Sequence, residues 1–244
     1  MGAERICPVC LDRERARSSS GSRPIAAPVI ESDDTHFQIT TAPAAGSRFG
    51  NIISEWRAES LEWCRGRSWV VRLPLWLYFV YTLSRHLGGT EPYRSIFDGI
   101  NLGIHELGHV IFRPFGEFLT IAGGTIAQCL APIAAGIVFH RQRDFFAITV
   151  AVCWLATNLW GVAVYVGDAR ALALPLVAPG MGMMPAGDGP ILHDWNHLLG
   201  VTGLLRHDQT IAFFLRGAAL AVMSLGLAGG AWLMVQMAFA KKRF

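Results

Sequence analysis

Five apolar segments, at about 69–87, 96–112, 117–139, 145–167 and 211–239, constrain this chain more than any other feature. Crossing a bilayer takes roughly 20 mostly apolar residues. Lipid offers no hydrogen bonds, so a crossing segment must satisfy its own backbone groups, as a helix does. Composition points the same way: 52% of the 244 residues are apolar and 16% are charged. A soluble domain carries about 25% charged residues, so too few remain here to cover a water-facing surface. The expected fold class is all-α: a polytopic transmembrane helical bundle of about four to five spans, with the lipid bilayer as its first partner. Such a chain is expected to be a multi-pass integral protein, placed in the bacterial inner membrane.

Residues 1–50 hold Ser18-Ser19-Ser20-Gly21-Ser22, prolines and mixed charges without a sustained period, and read as a disordered polar tail. Cys7 and Cys10 have the spacing of half a zinc knuckle, but no second CxxC completes four ligands, and they read as two thiols in that tail. Five cysteines, two of them in apolar runs, do not make a disulfide framework. The first apolar run begins near residue 69, too late for a signal peptide. Residues 51–67 suit an interfacial amphipathic helix, with Ile52, Ile53, Trp56 and Leu61 set against Arg57, Glu59 and Glu62. Residues 68–244 form the transmembrane domain, interrupted by a polar connector over 168–210.

The net charge of +3 is weak and its basic residues are scattered, which excludes a nucleic-acid surface. If all five segments cross, Arg65, Arg67, Arg113, Arg170 and Arg206 share one side. Arg85, Arg94, Arg141, Arg143, Lys241, Lys242 and Arg243 share the other, which leans cytoplasmic by a thin margin.

The chemical signal is His105-Glu106-Leu107-Gly108-His109. On a helix, histidines four apart project from one face and chelate one ion, with the glutamate beside them placed to take a proton from water. Zn2+ is the ion this pattern serves, lowering the pKa of its water to about 7. Two histidines and a glutamate are costly inside an apolar run, which makes them functional by default. Asp98, Asn101, His105, His109 and Arg113 follow steps of three and four, a polar stripe along one face. Asn101 or Asp98 would supply outer hydrogen bonds to the metal-binding histidines.

A catalytic zinc site takes a third protein ligand and leaves one position open. The longer metzincin motif is absent after His109, and the only later glutamate, Glu117, lies past Pro114. The third ligand is therefore expected to be Asp or His. If each segment spans once, Asp168 emerges on the side toward which His109 points, and His140 and Asp144 fall on the other. The connector supplies His193-Asp194-Trp195-Asn196-His197 on the correct side. Asp168, His193 and Asp194 lead as candidates, with His197, His207 and Asp208 behind. Asp194 could instead cap the helix that follows. Gln128 and Asn158, polar residues in apolar runs, read as bridges between helices. Gly123, Ala127, Ala131 and Ala135 form a small-residue ladder for close helix packing.

An HExxH motif within a hydrophobic helix resembles the site-2-protease-like group of membrane-embedded zinc metalloproteases. The resemblance covers roughly residues 96–170, and its specific part is the motif itself. It implies His105 and His109 as zinc ligands, Glu106 as the catalytic base and Asp168 as the matching aspartate. The family's aspartate follows an Asn-Pro-rich stretch and precedes Gly, whereas Ala169 and Arg170 follow here. Its Gly-Pro-x-x-Asn is echoed only by Gly123-Gly124-Thr125-Ile126-Ala127-Gln128. The expected activity is hydrolysis of a peptide bond in a membrane protein or peptide substrate. The rival readings are a metal-binding membrane protein without protease activity and a scaffold whose polar stripe only docks helices.

Overall fold

A computed structural model describes residues 45–88, 95–178, 182–184 and 193–240. The rest of the expected polar tail, including Cys7 and Cys10, lies outside the described residues. Helix α1, Ala45–Cys64, covers the expected interfacial helix and starts inside the segment read as tail. Helices α2 (Leu73–Gly88), α3 (Asp98–Phe112), α4 (Glu117–Arg141), α5 (Phe145–Gly167), α6 (Asp194–Val201) and α7 (Asp208–Ala240) follow. The described chain is all-helical except for one antiparallel hairpin in the connector, β1 (Leu176–Ala178) against β2 (Gly182–Met184), with Val177 opposite Met183.

Among the described residues three helices are long and apolar enough to cross a membrane: α4 with 25 residues, α5 with 23, and Leu205–Ala240, which joins a 3-10 turn to α7. The other two expected spans are shorter. Helix α2 has 16 residues and α3 has 15, about 24 and 22 Å at 1.5 Å per residue, against a hydrocarbon core of about 30 Å.

Local chemistry sets the boundaries. The Asp144 side chain accepts a hydrogen bond from Ala147 N at 3.1 Å and caps α5. Between α3 and α4 the 3-10 turn Arg113–Phe115 carries Pro114, and Gly116 with φ +95° reverses the chain, a backbone state that β-carbons resist. At the start of α7 the buried Asp208 pairs with Arg170 at 2.7 Å, a negative charge at the positive end of the helix.

The antiparallel pair α5 and α7 is the spine, and its core falls into three layers along the helix axes. The first joins Phe145, Phe146, Leu233, Met234 and Met237 to Cys64 of α1. The second joins Cys153, Ala156, Trp160, Ala219 and Met223 to Phe79 of α2. The third joins Val162, Val166 and Ala212 to Leu199 of α6. Helix α3 starts beside the second layer, where Trp154 Nε1 donates to Asn101 Oδ1 at 2.7 Å. It then descends along α4 toward the third. Gly108 and Gly123 let α3 and α4 touch backbone to backbone: a β-carbon on Gly123 would stand 2.7 Å from Gly108 O.

Helix α3 is polar inward and apolar outward. Asn101 is buried and His105, Glu106 and His109 are half-buried, while Leu107, Val110 and Ile111 are 54–66% exposed. A helix facing water would show the reverse pattern.

Candidate metal centre

His105 and His109 stand one turn apart on the inner face of α3, and their rings meet edge to face with centroids 4.7 Å apart. Each ring is held by its Nδ1. That of His105 lies 3.0 Å from Gln128 Oε1 of α4, and that of His109 lies 2.8 Å from the backbone oxygen of Thr120. Both acceptors require Nδ1 to carry a proton, so in each neutral ring the lone pair sits on Nε2.

Both Nε2 atoms point at one carboxylate oxygen. Asp194 Oδ2 is 2.9 Å from His105 Nε2 and 3.3 Å from His109 Nε2. Ligand atoms about 2.0–2.1 Å from a tetrahedral ion stand roughly 3.3 Å from one another. The three side chains could therefore hold a metal ion, and their ligand atoms all lie within 4.8 Å of one another. Among the described residues no fourth protein ligand joins them.

The position of Asp194 follows from how α6 docks. Its N-cap is His193, whose Nδ1 accepts from Asn196 N at 3.1 Å, so Asp194 occupies the first helical turn rather than the cap. Asp194 N donates to the Tyr165 hydroxyl at 3.2 Å, and Asn196 Nδ2 donates to Ala169 O at 2.7 Å. Leu198, one turn on from Asp194, and Leu199 are buried against the rest of the bundle. Burial opposes the Asp194 charge, but in the metal-free chain the imidazolium forms of His105 and His109, each donating from Nε2, hold its carboxyl below the usual carboxylate range. Burial lowers the His193 imidazole below its ordinary value despite the nearby Asp168 and Asp194 carboxylates, keeping it neutral and able to accept at Nδ1.

Gly124 makes room for the pair. A β-carbon there would lie 2.6 Å from His105 Nε2 and 2.7 Å from His109 Nε2, so α4 is shaped as a cradle for both rings.

The other candidates lie elsewhere. Asp168 accepts from Ala173 N at 2.9 Å and Leu174 N at 3.0 Å, closing the turn after α5. His193 Nε2 is 3.5 Å from Asp168 Oδ2, at the limit of a hydrogen bond. Neither residue joins the cluster of His105, His109 and Asp194. His197 faces Glu117 at 3.8 Å, His207 accepts from Arg206 Nε at 3.1 Å, and Asp208 belongs to Arg170. Glu106 is half-buried and adjoins His105 in the chain.

Sequence reasoning chose the wrong outer partners. Asn101 is taken by Trp154 and Asp98 by Ser95 N at 3.0 Å, while Gln128 and the Thr120 carbonyl hold the histidines. Gln128 was visible as a polar residue in an apolar run, and it does bridge helices, since Asn158 Nδ2 donates to its backbone oxygen at 2.8 Å. A backbone carbonyl leaves no trace in residue type, and Gly124 was hidden among the small residues of α4.

Comparison with protein-family models, curated proteins and solved structures finds no match for this chain.

Proposed function

We propose that this chain is a membrane-embedded zinc metallopeptidase in which His105, His109 and Asp194 hold the ion and Glu106 is the general base. The observation that carries this reading is the convergence of two Nε2 atoms, each turned by a bond at its Nδ1, on one oxygen of Asp194. Outer hydrogen bonds of this kind fix the tautomer and raise the basicity of metal-binding histidines. Two imidazoles and a carboxylate suit zinc, and a three-ligand shell leaves the open position that catalysis needs. Zinc bound there would polarise a carbonyl and make water acidic near neutral pH.

The chain's own groups do the rest. The Glu106 carboxylate takes a proton from the attacking water and returns it to the amine nitrogen as the C–N bond breaks. The Thr120 and Gln128 bonds keep both rings from turning as charge changes at the site. The outward apolar face of α3 supports placing the site against lipid, with a peptide or the segment of a membrane protein as substrate. The third ligand differs from the one the site-2-protease resemblance implies, since Asp194 comes from the connector and Asp168 closes a turn.

The test is hydrolysis of labelled casein and of a labelled single-span peptide by zinc-loaded protein in detergent. The unaltered chain is expected to cleave at least one of them. Glu106→Gln is expected to keep its zinc and lose activity by about 100-fold or more. Equal activity in Glu106→Gln, or cleavage of neither substrate, would refute the assignment.

A further inference from the structure

We infer that the α1 end of the molecule is its cytoplasmic end, seated on anionic lipid headgroups, and that the metal centre opens on the opposite face. The inference rests on the membrane reading alone and is independent of any peptidase activity.

The core layers give the molecule two ends. At one, α1 packs on the start of α5 and the end of α7: Cys64 lies with Leu233 and Met237, Trp63 meets Phe145 edge to face with centroids 5.9 Å apart, and Arg143 reaches Glu59 at 3.4 Å. At the other lie the start of α4, the end of α5, α6 and the metal centre. Five full crossings would have put Arg65 and Arg67 at the metal-centre end. They do not go there, because α2 and α3 are each too short to cross. Helix α2 leaves the first layer and reaches the second, where His86 stacks on Trp160 at 4.3 Å, and α3 continues from the second layer to the third. The two short helices make one crossing between them, which returns Arg65, Arg67 and Arg72 to the same end as Arg141 and Arg143.

That reassignment changes the charge count. Arg57, Arg65, Arg67 and Arg72 precede α2 and Arg141 and Arg143 flank the α4–α5 turn, all at the α1 end, and Lys241, Lys242 and Arg243 directly follow α7 in the sequence. Arg113, Arg170 and Arg206 lie at the metal-centre end, and Arg216 leans toward it, its guanidinium beside Gly167. Excess Lys and Arg in short flanking segments marks the cytoplasmic side. The α1 end also carries an interfacial aromatic set. The Arg67 guanidinium lies 4.4 Å from the centre of the Trp63 ring, Arg72 lies 5.2 Å from it, and Trp56 is 42% exposed. Tryptophan and arginine together at one level suit the headgroup layer, where ring and charge are both satisfied. Among the described residues no arginine lies over a ring at the metal-centre end, where Trp195 packs against the third layer and the turns carry Glu117, Asp168, Asp194 and Asp208. Phe115, Val201 and Leu204 are among its exposed apolar residues.

Labelling with a membrane-impermeant maleimide in intact cells tests this, in the full chain with Cys7 and Cys10 changed to Ser. Cys64 and Cys153 are buried and Cys129 is half-buried, so the parent without added cysteines serves as background. Thr202→Cys and Phe115→Cys, at exposed positions of the metal-centre end, are expected to label in intact cells. Ser54→Cys and Gln142→Cys, exposed at the α1 end, are expected to label only after the membrane is permeabilised. The reverse pattern would overturn the orientation. Labelling of all four, or of none, in intact cells would overturn the separation into two faces. Membrane insertion and a thermal unfolding transition like the parent's verify that each variant keeps its fold, and two positions per end keep the outcome readable if one variant misfolds.

Discussion

Gly124→Ala is expected to remove metal binding from a chain that still folds. Its new β-carbon would fall 2.6 Å from His105 Nε2 and 2.7 Å from His109 Nε2, far inside van der Waals contact. Both clashing atoms are ring tips, so the cheapest relief is for the imidazoles to swing away from α4. That motion breaks the bonds from Nδ1 to Gln128 and to the Thr120 carbonyl, and it carries both Nε2 atoms off Asp194. The helix itself gains, since alanine is favoured over glycine in a helix interior by about 1 kcal/mol. Zinc affinity should therefore fall by at least about 100-fold, the upper range for loss of the bonds that orient such ligands. Metal-free Gly124→Ala should melt at or above the temperature of the metal-free parent. Zinc titration and thermal unfolding in detergent measure the two effects separately. A variant that binds zinc as the parent does would show that the rings do not lie against α4.

The second large effect separates two aspartates. Asp194→Asn removes the carboxylate that faces both Nε2 atoms, and zinc affinity should drop by about 1000-fold, more than the 10–100-fold typical of outer-shell losses. Asp168→Asn should cost no more than about tenfold, because Asp168 accepts from Ala173 N and Leu174 N and meets the site only through His193, 3.5 Å away and next to Asp194 in the chain. Asparagine retains one of those acceptors, so the turn should persist. If Asp168→Asn abolished zinc binding and Asp194→Asn spared it, the resemblance would have named the ligand correctly and the position of α6 would be wrong.

What the sequence disclosed follows from the range over which its patterns act. The His105–His109 pair was legible because helical spacing alone puts both on one face, and α4, α5 and α7 because length and composition make a long apolar helix. Asp194 could only be shortlisted: it is 89 residues from His105 in the chain, and its place is set by the docking of α6 on Tyr165 and Ala169. The resemblance favoured Asp168 because a family pattern follows chain order, whereas α6, late in the connector, is the element that docks at the site. Five spans were expected because apolar runs at 69–87 and 96–112 approach crossing length, but the helices within them have only 16 and 15 residues, with turns at 70–72, 96–97 and 113–115 outside them. That shortness also reversed the side given to Arg65 and Arg67. The hairpin Leu176–Ala178 with Gly182–Met184 went unforeseen, as three-residue strands are too short to show alternation.

Three side chains from α3 and α6 converge on one point and could hold a metal ion there. Zinc content of the purified, detergent-solubilised chain, measured by mass spectrometry beside His105→Ala, tests it most directly. About one zinc per chain, absent from His105→Ala, is the expected result. A chain that holds no zinc as purified and takes up none after dialysis against it would contradict the account, leaving the polar face of α3 as a surface that only docks helices.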